Sequence, residues 1–289
     1  MRIHPECIPC LLYRVRFESE LSAPDRAIEA LLAAAAEIGK SCPNDVSAEM
    51  ATRAHRAAYE ALGTDDPYAE QKRLSNEVAL KLLPRAREMY ENCAPGDRLR
   101  TAVLLSIVGN VLDFGIGGAL SDPANLEGAF EDLVGQGLGR DDSDRMADLL
   151  VPGTNVAYLT DNCGEIVFDQ ILLEELRGMG CSVTLVVKGD PILTDATRAD
   201  VEELGLADKV DKVMDTGPLA VGVDLTTVPI ETREAIEGAD IVIAKGMANL
   251  ESLSDTGIRP IAYLLRTKCD PVAGTVGEAK DINVAKLFL

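Results

Sequence analysis

Val156-Ala157-Tyr158-Leu159-Thr160-Asp161-Asn162-Cys163-Gly164-Glu165-Ile166-Val167-Phe168 is the stretch on which the fold turns. Residues 156–159 are a short apolar run, six polar or small residues interrupt it, and Ile166-Val167-Phe168 opens a helix. Runs of the same kind follow at 183–187, 210–214, 241–244 and 261–264, with helix-length segments between them. Strands apolar on both faces, alternating with helices, indicate βαβ units and a mainly parallel, Rossmann-like sheet flanked by helices.

Upstream the pattern is different. Apolar residues recur at helical spacing from Ile8 to about Gly118, with runs at 30–38, 48–62 and 70–90. Breaks fall at Ala23-Pro24, Cys42-Pro43-Asn44, Gly63-Thr64-Asp65-Asp66-Pro67 and Ala94-Pro95-Gly96-Asp97. The expected organisation is therefore an all-helical region over 1–150, of one or two subdomains, and an α/β domain over 151–289. Residues 120–152, acidic and glycine-rich around 135–144, read as a loop and short helix joining the two.

The 289 residues carry 28 Lys+Arg against 48 Asp+Glu, a net charge of −20. Nucleic acid and anionic lipid repel such a chain, and no basic stripe offsets the charge locally, so neither is an expected partner. Hydrophobic residues at 47% and charged ones at 26% exclude disorder and low complexity. Seven scattered cysteines do not make a secreted disulfide framework. Together with a start that lacks a signal-peptide core, they lead us to expect a cytoplasmic protein. The one membrane-length apolar segment, 102–120, is interrupted by Asn110 and Asp113 and reads as a buried helix.

In open parallel sheets ligands bind beyond the carboxyl ends of the strands, so the strand tips are where chemistry is expected. Asp161 and Asn162 follow the first strand and offer hard oxygen donors to a divalent cation. Asn162 with Glu165 three positions on equally resembles a helix capping box. After the second strand comes Lys188-Gly189-Asp190-Pro191-Ile192-Leu193-Thr194-Asp195, in which Thr194 or Asp195 could cap the next helix. Sequential strands are usually neighbours, however, which would set Asp195 beside Asp161 as a further ligand.

Lys245-Gly246 ends the fourth strand and could bring a charge and backbone N–H groups to a phosphate, or be an exposed strand-end lysine. Asn110 and Asp113 share one face of an apolar helix and are costly to bury without partners, which points them towards a site. Cys7-Ile8-Pro9-Cys10 allows three readings: buried thiols at a helix start, a redox pair, or a metal site completed by Cys42 and Cys93. Cys163 has no histidine near it in sequence, which weakens it as a nucleophile. With His4 and His55 the only histidines, His-rich metal sites are excluded.

Six stretches in order are similar to the damage-control phosphatase family, long known as domain of unknown function 89, and especially to its compact archaeal-type branch. They are His4-Pro5-Glu6-Cys7-Ile8-Pro9-Cys10, Gly109-Asn110-Val111-Leu112-Asp113-Phe114, Thr160-Asp161-Asn162-Cys163-Gly164-Glu165, Lys188-Gly189-Asp190-Pro191-Ile192-Leu193-Thr194-Asp195-Ala196, Ala244-Lys245-Gly246-Met247-Ala248-Asn249-Leu250-Glu251 and Ile261-Ala262-Tyr263-Leu264-Leu265-Arg266-Thr267-Lys268-Cys269. The resemblance implies a three-layer α/β/α core behind the helical region. It also implies a divalent metal (Mn, Ni, Co or Mg) on Asp161, Asn162 and Asp195, with Lys245, Asn249 and Asn110 at the substrate phosphate. Larger members often carry an acidic residue after the equivalent Lys-Gly, where this chain has Met247.

The expected activity is metal-dependent hydrolysis of small phosphorylated metabolites, damaged or side-product phosphate esters among them. Asp161 and Lys245 would be catalytic, and Glu165 or Asp113 would orient the attacking water. Three other readings are open. An S-adenosylmethionine methyltransferase would want a glycine-rich turn where Asp161-Asn162-Cys163 stands. An aspartyl-phosphate mechanism would want a second acid at position 163. A metal- or phosphometabolite-binding module without turnover would use the same ligands.

Overall fold

A computed structural model describes residues 1–109 and 130–289. Among them are seven strands in one sheet: β1 (Arg140–Asp141), β2 (Asn155–Leu159), β3 (Ser182–Val187), β4 (Lys212–Asp215), β5 (Ile241–Lys245), β6 (Ile261–Arg266) and β7 (Asn283–Phe288). Their order is β1-β7-β6-β5-β2-β3-β4, parallel except for the β6–β7 pair. The five expected strands are all present. β7 was not expected: it lies antiparallel to β6, so no βαβ unit announces it. β1 also went unseen, because two residues carry no period.

Side chains of a strand alternate between faces, and here both faces are covered. Val156, Tyr158, Ile241 and Ile243 pack with the helix Glu165–Gly178 and its neighbours on one side. Ala157, Leu159, Val242 and Ala244 pack on the other with Leu250, Leu253 and Val272. Those three come from the helices Gly246–Leu253 and Asp270–Val276, so the core has the three α/β/α layers expected.

The helical region contributes α1 (Cys7–Ser22), α2 (Ala27–Ile38), α3 (Ser47–Leu62), α4 (Ala69–Asn92) and α5 (Arg98–Val108). α1 to α3 bury Val15, Ala34, Ala54 and Ala58 in a cluster that also takes in Ile192, Leu193 and Val221, which lie beyond the ends of β3 and β4. α4 and α5 instead give Leu82, Leu99, Val103 and Ile107 to the core under the sheet. No described helix is long and apolar enough to cross a membrane. Of the apolar segment 102–120, residues 102–109 are buried apart from a partly buried Leu104, and 110–120 lie outside the described residues.

The chain runs from β2 outward to β3 and β4, then returns to place β5 on the other side of β2. Adjoining connections leave in opposite directions at β2 and β5, which opens a crevice at their carboxyl ends. The loop 160–165 and the turn at Gly246 meet there.

Candidate active site

The loops after β2 and β3 are joined through their backbones. The N–H of Ala196 donates to Asp161 O at 2.8 Å, and that of Cys163 to Thr194 O at 2.8 Å. Asn162 and Asp195 pair as an antiparallel bridge. Neighbouring strands thus set Asp161, Asn162 and Asp195 side by side, all nearly buried, on the wall of one cavity of about 170 Å³.

The side chain of Asn162 is fixed on both sides: Nδ2 donates to Asp161 Oδ2 at 2.7 Å, and Oδ1 accepts from Thr194 Oγ1 at 2.6 Å. Only half of the expected capping box forms, since Glu165 accepts the Asn162 N–H at 3.4 Å while the Asn162 side chain caps nothing. The next helix is likewise not capped by Thr194 or Asp195. Thr197 and Asp200 form its capping box, which frees Asp195 for the cavity. The spacing of Thr197 and Asp200 is itself a capping signal that the sequence carried.

Gly246, at φ +74°, completes the contact across the crevice. A Cβ there would stand 1.9 Å from Asp161 Oδ2. Lys188 approaches from the other flank, its Nζ 3.4 Å from Asp195 Oδ2 and bonded to the carbonyls of Ala220 and Gly222. Two carboxylates and an amide, rigidly placed and facing a cavity, are the hard oxygen donors that a divalent cation takes. Among the described residues no three His, Cys, Asp or Glu side chains cluster to hold a metal. Cys7 and Cys10 therefore do not form a zinc site with Cys42 and Cys93. All seven cysteines are free thiols.

Lys245 departs from expectation. Its side chain is neither exposed nor on the cavity wall. It is fully buried, with Nζ 2.5 Å from Glu165 Oε1 and 2.6 Å from Asp169 Oδ1, and it donates to Ser106 O at 3.0 Å. The reason is electrostatic: two buried carboxylates on one helix face, four residues apart, demand a cation. Burial raises Asp169 to about 6 against the pull of Lys245, and the charge of Glu165 adds to the rise. Despite its burial, Lys245 is held above the ordinary lysine value by those two carboxylates.

Asn249 is also turned inward. Its Nδ2 donates to Thr160 O at 3.0 Å and Lys245 O at 2.7 Å, tying the tips of β2 and β5 together. In this arrangement neither Lys245 nor Asn249 faces a phosphate in that cavity. Asn110 and Asp113 lie outside the described residues; Gly109 before them abuts Glu165, where a Cβ would come within 2.6 Å of the Glu165 Cα. Cys163 is buried with Sγ 3.2 Å from Asp200 Oδ1, and burial together with that carboxylate pushes its pKa well up. A thiol so placed is a poor nucleophile.

The opposite wall of the cavity comes from the helical region, and sequence reasoning missed most of it. Cys7, Cys10, Leu11 and Arg14 share one face of α1; Ser47, Ala51 and His55 share one face of α3. Cys269 and Glu251 join them. Burial raises the thiols of Cys7 and Cys269, and neighbouring Glu251 adds to it, so neither is an activated thiolate.

Over residues 3–284 the sequence matches the family model described as the damage-control phosphatase ARMT1-like domain. A relative from Archaeoglobus fulgidus named damage-control phosphatase is 42% identical, over 99% of each chain. One from Pyrococcus horikoshii with the same family name is 35% identical over 94% of this chain and 93% of its own. The crystal structure of a domain-of-unknown-function-89 protein from P. horikoshii superposes with a TM-score of 0.87 at 34% identity, over 99% of each chain. The chain therefore belongs to the damage-control phosphatase family, over practically its whole length.

Proposed function

We propose that this protein is a divalent-metal-dependent phosphatase acting on small phosphorylated metabolites, damaged or side-product esters among them. The observation that carries the reading is the placement of Asp161, Asn162 and Asp195 on one cavity wall at the β2/β5 switch point. Membership of a family whose members are named phosphatases supports it.

Those three residues would hold the ion, with Mn, Mg, Co and Ni all compatible with oxygen donors. Such an ion, when bound, polarises a phosphoryl oxygen and offsets the charge that develops on it. The chain's own part is orientation. Thr194 and Asp161 lock the Asn162 amide so that one oxygen lone pair remains for the ion, and Gly246 lets the Asp161 carboxylate sit at the tip of β5.

Glu165 or Asp113 is assigned by motif to orienting the attacking water; the Glu165 side chain is fully buried and is not among the residues lining the cavity. In this reading Lys245 acts from behind the wall, fixing the Glu165 carboxylate rather than touching the phosphoryl group. Asn110 remains assigned to the phosphate by its motif alone.

The test is phosphate release from a chromogenic phosphate ester after chelation and re-addition of one divalent metal at a time, in wild type and Asp161→Ala. Activity restored by metal and lost in the variant is the expected result. Tight metal binding with no release from a broad ester panel would make the protein a binding module instead.

A further inference from the structure

One buried polar atom on the cavity wall has no role in the scheme above. His55, on α3, is fully buried, and its Nδ1 lies 3.1 and 3.2 Å from the two oxygens of Glu18, itself fully buried on α1. Its other nitrogen, Nε2, has no hydrogen-bond partner among the described residues, yet His55 lines the same cavity as Asp161, Asn162 and Asp195. The ring edge packs against Tyr59, whose hydroxyl accepts the Leu193 N–H and makes no hydrogen bond to Nε2. Buried polar atoms are nearly always paired, and one left over on a ligand cavity is placed for the ligand.

From this we propose that His55, oriented by Glu18, is a specificity-determining residue: its Nε2 hydrogen-bonds a hydroxyl on the leaving group of the phosphate ester. The proposal rests on the phosphatase reading for which end of the substrate is which. A carboxylate offers only acceptors, so Glu18 fixes the hydrogen on Nδ1. In the neutral ring Nε2 then accepts; in the charged ring it donates. A hydroxyl pairs with either form, whereas a second anion would pair with the charged ring alone and would face Asp161 and Asp195. Around it the lining mixes apolar Leu11, Ala51, Leu193, Val221 and Met247 with Ser47 and with Arg14, whose charge is set against that of Glu251, so a leaving group carrying one or a few hydroxyls on a carbon chain fits it.

His55→Asn tests this with little risk to the fold, because the Asn amide reaches Glu18 as Nδ1 does while the Nε2 atom is removed. Glu18→Gln is the second variant, since it loosens the control of which ring nitrogen carries hydrogen and leaves Nε2 in place. Linear polyol phosphates and alkyl phosphates of equal carbon number are compared as substrates. Their binding to the metal-loaded enzyme is measured separately by calorimetry with Asp161 intact.

Wild type should favour the polyol phosphate. His55→Asn should lose roughly tenfold or more of that preference, mostly in KM and in Kd, with alkyl phosphates changed less than about twofold. Glu18→Gln should lose part of it. Equal losses on both ester classes, or none on either, overturn the assignment. If no phosphate is released by any form while the binding preference is present and falls in His55→Asn, the phosphatase reading fails and His55 recognition stands. If the binding preference is absent too, His55 recognition fails.

Discussion

Gly246 leaves Asp161 the space in which its carboxylate sits: a Cβ at residue 246 would be 1.9 Å from one Asp161 carboxylate oxygen and 2.5 Å from the other. Its φ of +74° adds a second requirement, since an L side chain there costs about 1–2 kcal/mol. Gly246→Ala must therefore displace Asp161 or shift the β5 tip. Metal affinity measured by calorimetry should fall at least about tenfold, the scale seen when a ligand's supporting shell is disturbed. Affinity unchanged from wild type would remove Asp161 from the ligand set.

Lys245 bridges Glu165 and Asp169, all three side chains being fully buried. Lys245→Met leaves the two carboxylates facing each other, and breaking a buried pair this way costs about 3–5 kcal/mol. Urea denaturation should show that loss. Adding Asp169→Leu to Lys245→Met should restore part of it, because one of the stranded charges is gone. Strictly additive losses would show that the three groups do not act as a unit.

The same cluster fixes the sign of a pH effect. Burial raises Asp169 to about 6 from its ordinary 3.8, so the folded protein holds this proton more tightly than the unfolded chain. Stability contributed by Asp169 is then fully present below about pH 4 and is lost as pH rises through about 6. Subtracting the stability–pH profile of Asp169→Asn from that of wild type isolates this component, which should decline across that window. A component rising with pH would mean that Lys245 outweighs burial at Asp169.

How much of this was legible differs from residue to residue. The strand runs at 156–159 and 241–244 are apolar on both faces, so the parallel core was readable, and the usual adjacency of sequential strands made the approach of Asp161 to Asp195 readable too; the switch point at β2 and β5 needed the strand order. β7 was hidden because a strand antiparallel to its predecessor belongs to no βαβ unit, and the two-residue β1 has no pattern at all. Lys245 was placed at the right tip, but its direction was not readable. That direction is set by Asp169, whose spacing from Glu165 matters only once their helix packs beside β5. His55 and Glu18 are 37 residues apart on separate helices, so no local motif joins them. Only the helix repeat that brings Ser47, Ala51 and His55 to one face of α3 hinted that a histidine would look into the cavity.

Asn76, on α4, governs the β2 loop from the helical region. Its Oδ1 accepts the Gly164 N–H at 2.7 Å, while its Nδ2 donates to Asp200 Oδ1 at 2.9 Å. Asp200 in turn accepts the Thr197 N–H at 2.8 Å through its other oxygen and receives the Cys163 thiol. One amide thereby links the loops after β2 and β3, which carry Asp161, Asn162 and Asp195. Asn76→Ala strands a buried N–H and takes a donor from a buried carboxylate, a cost of about 1–3 kcal/mol for each group. Asn76→Asp keeps the acceptor for Gly164 but turns a carboxylate towards Asp200, so its loss in a urea titration should equal or exceed that of the alanine variant. Amide exchange at Gly164 should separate the two. It should be fast in Asn76→Ala, where the N–H has no acceptor, and slower in Asn76→Asp, where the acceptor survives. If Asn76→Asp matched wild type in stability, the donation from Asn76 to Asp200 would contribute nothing to holding the loops together.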